Sequence, residues 1–299
     1  MGFLAVAAAA VLWAASGTYA RTLIDRGASP LQLAEARAWI AFLVLGAYAW
    51  WRGPRRAGFG RIHPAVVVTF GLSIAAANYF YYSAIARLPL AVAIVIQYTA
   101  PALVVLWLAV VERRRPSARV GGASIAAIAG VALLARLPHV IASGHLGLSA
   151  SGVAFAAGSA VAFAAYILSG ERVVPAYGPF GSLARGFGVA SVLWIVVQAT
   201  RGRPDTLLDG SLLPGVVLLG FSATVVPFVL FVWGLQRIGA PRAAIASSLE
   251  PLSAAVFAYV WLGQRLGGWQ VGGAALVLAA VVVVQTEREE AAPVPAPLE

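Results

Sequence analysis

The chain has no cysteine and no lysine, one methionine, three histidines and only 11 acidic residues among 299. Without cysteine it has no disulfide, no thiolate metal site and no thiol nucleophile. The shortage of charge says more. Charged residues make up 11% of the chain, against about 25% in an average soluble domain, so it cannot cover its surface for water. With 61% hydrophobic residues and a mean hydropathy of +0.87, it reads as an integral membrane protein. A Walker A sequence, a His-Glu-x-x-His zinc motif and a nucleophile elbow are all missing, which argues against an ATP-driven pump or a membrane enzyme. The formal charge of +10 does not point to nucleic acid. All the basic residues are Arg, in short clusters between apolar runs, as in membrane loops. The first residues enter an apolar run without a charged leader, so no cleavable signal peptide is expected. Residues 287–299, acidic and rich in Pro and Ala, are expected to be a disordered tail.

What the chain does have is a passage written twice. Arg87-Leu88-Pro89 leads to Pro101-Ala102-Leu103, and Arg237-Ile238-Gly239 leads to Pro251-Leu252-Ser253. Each copy is an apolar helix with a proline near its middle. An Arg-bearing loop follows, then a second apolar run carrying Val-Gly-Gly-Ala at Val120–Ala123 and Val271–Ala274. The offset drifts only from 150 to 151. The chain is therefore two related halves, expected as residues 1–143 and 144–286.

A bilayer core takes about 20 apolar helical residues. Suitable runs in the first half are Phe3–Leu23, Leu33–Trp51, Pro64–Ile85, Leu90–Val111 and Val120–Leu134. The second half has Leu148–Leu168, Phe180–Thr200, Leu212–Leu235, Ala243–Leu262 and Trp269–Val284. The expected fold class is an all-α integral membrane protein of ten transmembrane helices. Five per half is odd, so the second copy lies upside down as an inverted-topology repeat, with a substrate site near the midplane where the halves meet. Arg52, Arg55, Arg56 and Arg61 follow the second run, and Arg113, Arg114, Arg115 and Arg119 the fourth. The opposite side of that half carries mainly Arg21, Arg26 and Arg87. Positive charge stays inside, which puts both termini in the cytoplasm.

In order along the chain come Leu12-Trp13, then Ser29-Pro30 leading to Glu35-Ala36-Arg37, then Ala86-Arg87-Leu88 and Pro101. The second half has Ser248-Leu249-Glu250-Pro251, Leu262-Gly263-Gln264-Arg265 and Gly272-Gly273. With these motifs the chain resembles a ten-helix member of the drug/metabolite transporter superfamily, of the EamA type, over residues 3–285. The resemblance implies a transporter of the bacterial inner membrane that exports amino acids, other small metabolites or drugs, without a soluble cofactor. Two places depart from the pattern. The usual Gly-Glu after the ninth run reads Gly263-Gln264, and after the fourth it reads Val111-Glu112. Thr99-Ala100-Pro101 also stands where the second half has Leu249-Glu250-Pro251, so that acid occurs only once.

Glu250 is the one acid that this reading puts well inside a run. A carboxylate at membrane depth is costly unless paired, hydrated or protonated, and marks a functional site by default. It could take a proton or hold a substrate ammonium; the plain alternative is a protonated side chain bonding a neighbouring helix. Pro101 and Pro251 each remove a helix hydrogen bond, freeing the carbonyls of Gln97 and Ser247 to line a wet cavity or merely to shape a kink. Asn78 and Tyr82 share a helical face, with Gln97 and Tyr98 on the next run. With Trp13 they could form a polar, aromatic-lined pocket, or they could belong to interfacial belts and packing. Arg37 and Arg185 fall in the second turn of runs 2 and 7. They could attract substrate carboxylate at two gates or snorkel to the nearer surface. Glu35 and Glu112 are expected in ion pairs near run ends. Gly268-x-x-x-Gly272 is expected to pack closely on another helix.

The leading functional reading is a secondary exporter of small organic metabolites such as amino acids or amphiphilic compounds, with protons as the candidate coupling ion. A monomer or homodimer in the lipid bilayer is expected, with no metal, cofactor or nucleic acid. The alternatives are a passive channel or facilitator, a sugar-phosphate type anion exchanger, and an enzyme or lipid-handling protein using Glu250, His139 or His145. Organic anions want several basic groups inside the membrane, whereas these Arg lie near run ends. Both histidines flank the boundary between halves in a loop rich in Pro, Gly and Ser.

Overall fold

A chain this apolar must satisfy its own backbone hydrogen bonds, because lipid offers none, and a helix does so within one segment. The computed structural model describes residues 1–52, 62–88, 90–114, 116–142, 149–201, 210–262 and 267–286, and among these it is helical with no strand. In the first half, α1 spans Gly2–Asp25, α2 Pro30–Arg52, α3 Pro64–Ile85, α4 Leu90–Gln97, α5 Ala100–Val110, α6 Ala118–Leu134 and α7 Leu137–Ala142. In the second, α8 spans Ala150–Arg201, α9 Leu213–Gly220, α10 Val226–Ile238, α11 Ala240–Ser247, α12 Leu249–Leu262 and α13 Gly268–Thr286. A π-helical turn, Phe221–Val225, joins α9 to α10. Local starts are where the sequence signals them. Pro64 opens α3 behind His63, whose Nδ1 accepts from the Ala65 amide at 3.3 Å, and Ser117 caps α6 through the Val120 amide at 3.3 Å. Among the described residues six helical stretches are long and apolar enough to cross a membrane, and Gly2–Ser16 and Ala118–Leu134 are shorter apolar ones.

Four of the expected runs differ in form. The fourth and ninth are broken rather than kinked. Tyr98 and Thr99 separate α4 from α5, and Ser248 separates α11 from α12. The eighth carries the π turn. The sixth was expected to end at Leu168, yet α8 continues through Glu171 and Pro175. Val173 and Val174 are fully buried there, and their packing outweighs the hydrogen bond lost at a proline. A straight helix of 52 residues would be about 78 Å long, more than twice a bilayer core of about 30 Å. Gly178 divides it: at φ 69°, ψ 169° it takes a conformation that side chains with a Cβ resist.

The halves interlock. α3 lies along α8, α6 along α13, and α1 against α10 and α12. Small residues let backbones approach in membranes. A Cβ on Gly130 would stand 2.8 Å from the Gly273 carbonyl oxygen, and one on Gly273 would stand 2.6 Å from the Gly130 oxygen. This corrects the Gly268-x-x-x-Gly272 reading, since neither glycine has a neighbour within 4 Å of a built Cβ. The same face count places Gly273, one residue on, against α6. Arg55, Arg56, Arg61, Arg115, His145, Gly263, Gln264, Arg265 and the 287–299 tail lie outside the described residues.

Candidate functional site

The two broken helices meet. Pro251 has no N–H, so the ladder is interrupted in the preceding turn, and α12 restarts with Glu250 in its first turn. The N-terminal end of a helix favours a negative group. In the other half the break leaves Tyr98 between α4 and α5, nearly buried. The Tyr98 hydroxyl donates to Glu250 Oε2 at 2.6 Å across 152 positions of sequence. One half supplies the acid and the other supplies its donor.

Arg37 on α2 is only 5% exposed. A buried guanidinium needs partners, and it finds them in the π turn. Nε donates to Thr224 Oγ1 at 2.6 Å and a terminal nitrogen to the Ala223 carbonyl at 2.8 Å. Pro227 lacks the amide that would serve the carbonyl four residues back, at Ala223, so this oxygen is free to accept from Arg37. The guanidinium carbon also lies 5.4 Å from the Tyr82 ring centroid, within cation–π range.

Glu250 and Arg37 line the same cavity, of about 70 Å³. Trp13, Asn78, Tyr82 and Gln97 line it too, with Tyr81 of the same aromatic run, together with Ser16, Ala77, Phe163 and Phe228, which sequence reasoning missed. Asn78 Nδ2 donates to the Ile74 carbonyl at 2.8 Å, which leaves its oxygen toward other groups, and Gln97 Oε1 is buried without a partner. Trp13 packs 5.3 Å from both Phe228 and Phe231 and 6.3 Å from Phe163. Signals for the missed residues were thin. Phe163 and Phe228 read as core-filling aromatics, while Pro227 was the available pointer to the Thr224 region.

Other residues stand elsewhere. Ser247 is buried, donates to the Ala244 carbonyl at 2.7 Å and does not line the cavity. Pro101 and Pro251 are buried at the breaks. Arg37 and Arg185 do not form a matched pair. Arg185 is exposed, donates to the Gly181 carbonyl at 3.0 Å and lies 4.1 Å over the Tyr177 ring. Glu112 does sit in an ion network, 2.8 Å from Arg172 and 3.2 Å from Arg114. Glu35 does not follow it. It is 1% exposed and accepts from Gln198, so it is a second acid buried in a spanning helix. Its place near the start of α2 read as a run end, but the second arm of α8 covers it. His139 is exposed beside a separate cavity of about 500 Å³ with Arg136 and Trp269.

A multi-pass helical bundle with oppositely charged groups around a buried polar cavity belongs to the class of membrane transporters. Comparison narrows the class. The model of the EamA-like transporter family matches twice, over residues 1–136 and 150–286, and the chain belongs to that family. It is similar to the threonine/homoserine exporter RhtA of Salmonella typhimurium (strain LT2), with 29% identity over 227 residues, 76% of this chain and 73% of the relative. The Escherichia coli (strain K12) protein of the same name is 28% identical over the same shares. Similarity to an uncharacterized inner membrane transporter, YicL of Salmonella typhimurium, is 28% over 96% of this chain and 95% of the relative. A crystal structure 21% identical in sequence superposes with a TM-score of 0.73 over 95% of this chain and 96% of its own, so the two share a fold.

Proposed function

We propose that this protein exports small zwitterionic metabolites, amino acids first among them, by alternating access across ten membrane passes. The observation that carries the reading is that Glu250, held from behind the lining by Tyr98, and Arg37 line one cavity. Glu250 and the unpartnered Gln97 oxygen suit an ammonium, Arg37 suits a carboxylate, and the aromatic lining suits a short side chain. A single buried arginine matches one carboxylate better than a sugar phosphate. The names of the RhtA relatives support amino acids as the substrate class. Two matches to one family model support two repeats. Gly178, which divides α8, and the Pro-marked breaks support a count of ten passes, five per repeat, with the second inverted.

Both termini are taken to be cytoplasmic, on the Arg bias of the first half. The native chain has no thiol, so single cysteines report sides cleanly. An impermeant thiol reagent applied outside should label Gly144→Cys and spare Arg55→Cys and Arg114→Cys; labelling of either arginine position refutes this orientation. For transport, the test is efflux from proteoliposomes under an imposed pH gradient, with threonine and homoserine first in a panel of amino acids, sugar phosphates and hydrophobic amines. Saturable, gradient-dependent movement of amino acids is expected. Movement of sugar phosphates alone, or flux that neither saturates nor responds to pH, would overturn the reading.

A further inference from the structure

The central cavity does not use the other buried acid, Glu35, and its surroundings are unusual for a membrane interior. Gln32, Glu35 and Trp39 occupy one face of α2, at i, i+3 and i+7. Ser191, Trp194 and Gln198 occupy one face of the second arm of α8 at the same spacing. The two faces join where Gln198 donates to Glu35 Oε1, with the Trp39 indole also reaching the carboxyl. Four polar atoms in this seam are buried without a hydrogen-bond partner: Gln32 Oε1, Glu35 Oε2, Ser191 Oγ and Trp194 Nε1. Such atoms are rare in native interiors and each calls for an explanation. Two of them are acceptors one helical turn apart on α2, Gln32 Oε1 and Glu35 Oε2. Neighbours at that spacing face each other, and neither oxygen can satisfy the other. A proton on Glu35 Oε2 would change that, because an O–H there would be a donor for Gln32 Oε1 and one proton would serve both atoms. Farther along the same contact the polar seam closes, where Phe42 packs within 3.1 Å of a Cβ built on Gly188.

Among the described residues few charged or titratable side chains face this site, and Arg201 follows Gln198 by three positions at the end of α8. Arg37, two residues on, points away to Thr224 and Ala223. On α3 the Tyr79 ring lies 6.2 Å from that of Trp194. Arg185 is more than three turns away along α8, and α9 and the π turn carry no charge. Asp25 and Arg26 lie just before α2. No described positive side chain pairs with Glu35 the way Arg172 pairs with Glu112. An ionisable residue inside a spanning helix marks an ion or proton pathway by default.

We propose that Glu35 is a proton-carrying site of this protein, outside the substrate cavity, sharing its proton with Gln32 at the seam of α2 and the second arm of α8. Proton traffic and substrate then use separate carboxyls, Glu35 and Glu250. The proposal goes beyond the substrate reading and does not depend on which metabolite is carried. The first experiment is infrared spectroscopy of the full chain in lipid without substrate, at neutral pH. A protonated-carboxyl stretch is expected that Glu35→Gln removes, Gln32→Leu shifts to higher frequency and Glu250→Gln leaves in place. A band that survives Glu35→Gln, is lost only in Glu250→Gln, or is abolished by sodium at constant pH overturns the proposal. If Glu35→Gln does not fold, the Gln32→Leu shift decides, and its absence counts against the site. The second experiment is transport. One coupled proton is worth about tenfold accumulation per pH unit. Glu35→Gln should lose about that factor while substrate exchange without a gradient stays within about twofold, whereas a merely structural role would depress both together.

Discussion

The two broken helices share one backbone device and differ in chemistry. Thr99, before α5, has φ −75° and ψ −12°; Ser248, before α12, has φ −64° and ψ −6°. Each break is followed within three residues by a proline. Just before that proline the first half has Ala100, fully buried, and the second has Glu250 on the cavity. The shared element is the interruption, which frees backbone groups and opens a helix N-terminus inside the bundle. The unduplicated element is the charge. Two acids close together would repel and raise the cost of ionising either, so a tyrosine in the first copy complements the acid in the second.

The largest expected effect comes from moving that charge. Glu250→Gln should fold but lose gradient-driven accumulation, measured in proteoliposomes. The exchange Ala100→Glu with Glu250→Ala should not restore it, because Ala100 packs in the core rather than on the cavity. Recovery of transport by the exchanged variant would show that the halves are interchangeable and break the comparison.

Next in size is Arg37. Arg37→Ala strips partners from the Ala223 carbonyl and Thr224, at about 1–3 kcal/mol for each buried group left unsatisfied, and should lower thermal stability as well as substrate affinity. Thr224→Val keeps the charge but leaves the buried Arg37 Nε without its acceptor, so a drop of about 1.5–3 kcal/mol is expected. Equal melting losses in the two variants would show that the guanidinium contributes nothing beyond that hydroxyl contact.

A smaller effect separates the two prolines. Pro101→Ala and Pro251→Ala each return an amide to the ladder, so melting temperature should hold or rise while transport falls. The fall should be steeper for Pro251→Ala, because it alone moves the acid. Full activity in both variants would leave the breaks with a packing role only.

The smallest effect sharpens the contact between halves. Gly130→Ala forces a Cβ against the Gly273 carbonyl and should destabilise by about 1–3 kcal/mol. Gly272→Ala meets no neighbour and should stabilise by about 0.5–1 kcal/mol through helix propensity. Denaturation in detergent measures both, and the same sign for both would put the close approach elsewhere.

Much of the site was legible because its residues break local rules. Glu250 is an acid in an apolar run, Pro101 and Pro251 are prolines in helices, and Asn78 and Gln97 are amides where lipid-facing residues belong. Glu35 was misjudged because distance from a run end was used as a measure of burial, and in a bundle burial is set by what packs alongside. Arg185 was paired with Arg37 by repeat position, but one faces the π turn and the other the outside of α8. Ser247 was read from the freed carbonyl of a kink, but its side chain bonds back to the Ala244 carbonyl as helical serines commonly do. The run through Glu171 and Pro175 looked like a loop because charge and proline usually end helices. Val173 and Val174, buried on the far face, kept it helical.

The sequence alone determined that this chain lives in a membrane and is helical. Those conclusions follow from the energy of burying backbone and charge in lipid, which depends only on composition and spacing. Only the tertiary structure decided that Tyr98 serves Glu250, that Ala223 and Thr224 hold Arg37, and that Gln198 meets Glu35. These partners lie 152, 186, 187 and 163 positions apart. No local pattern encodes such distances, because they arise when one half docks on the other and every buried polar group must find a partner.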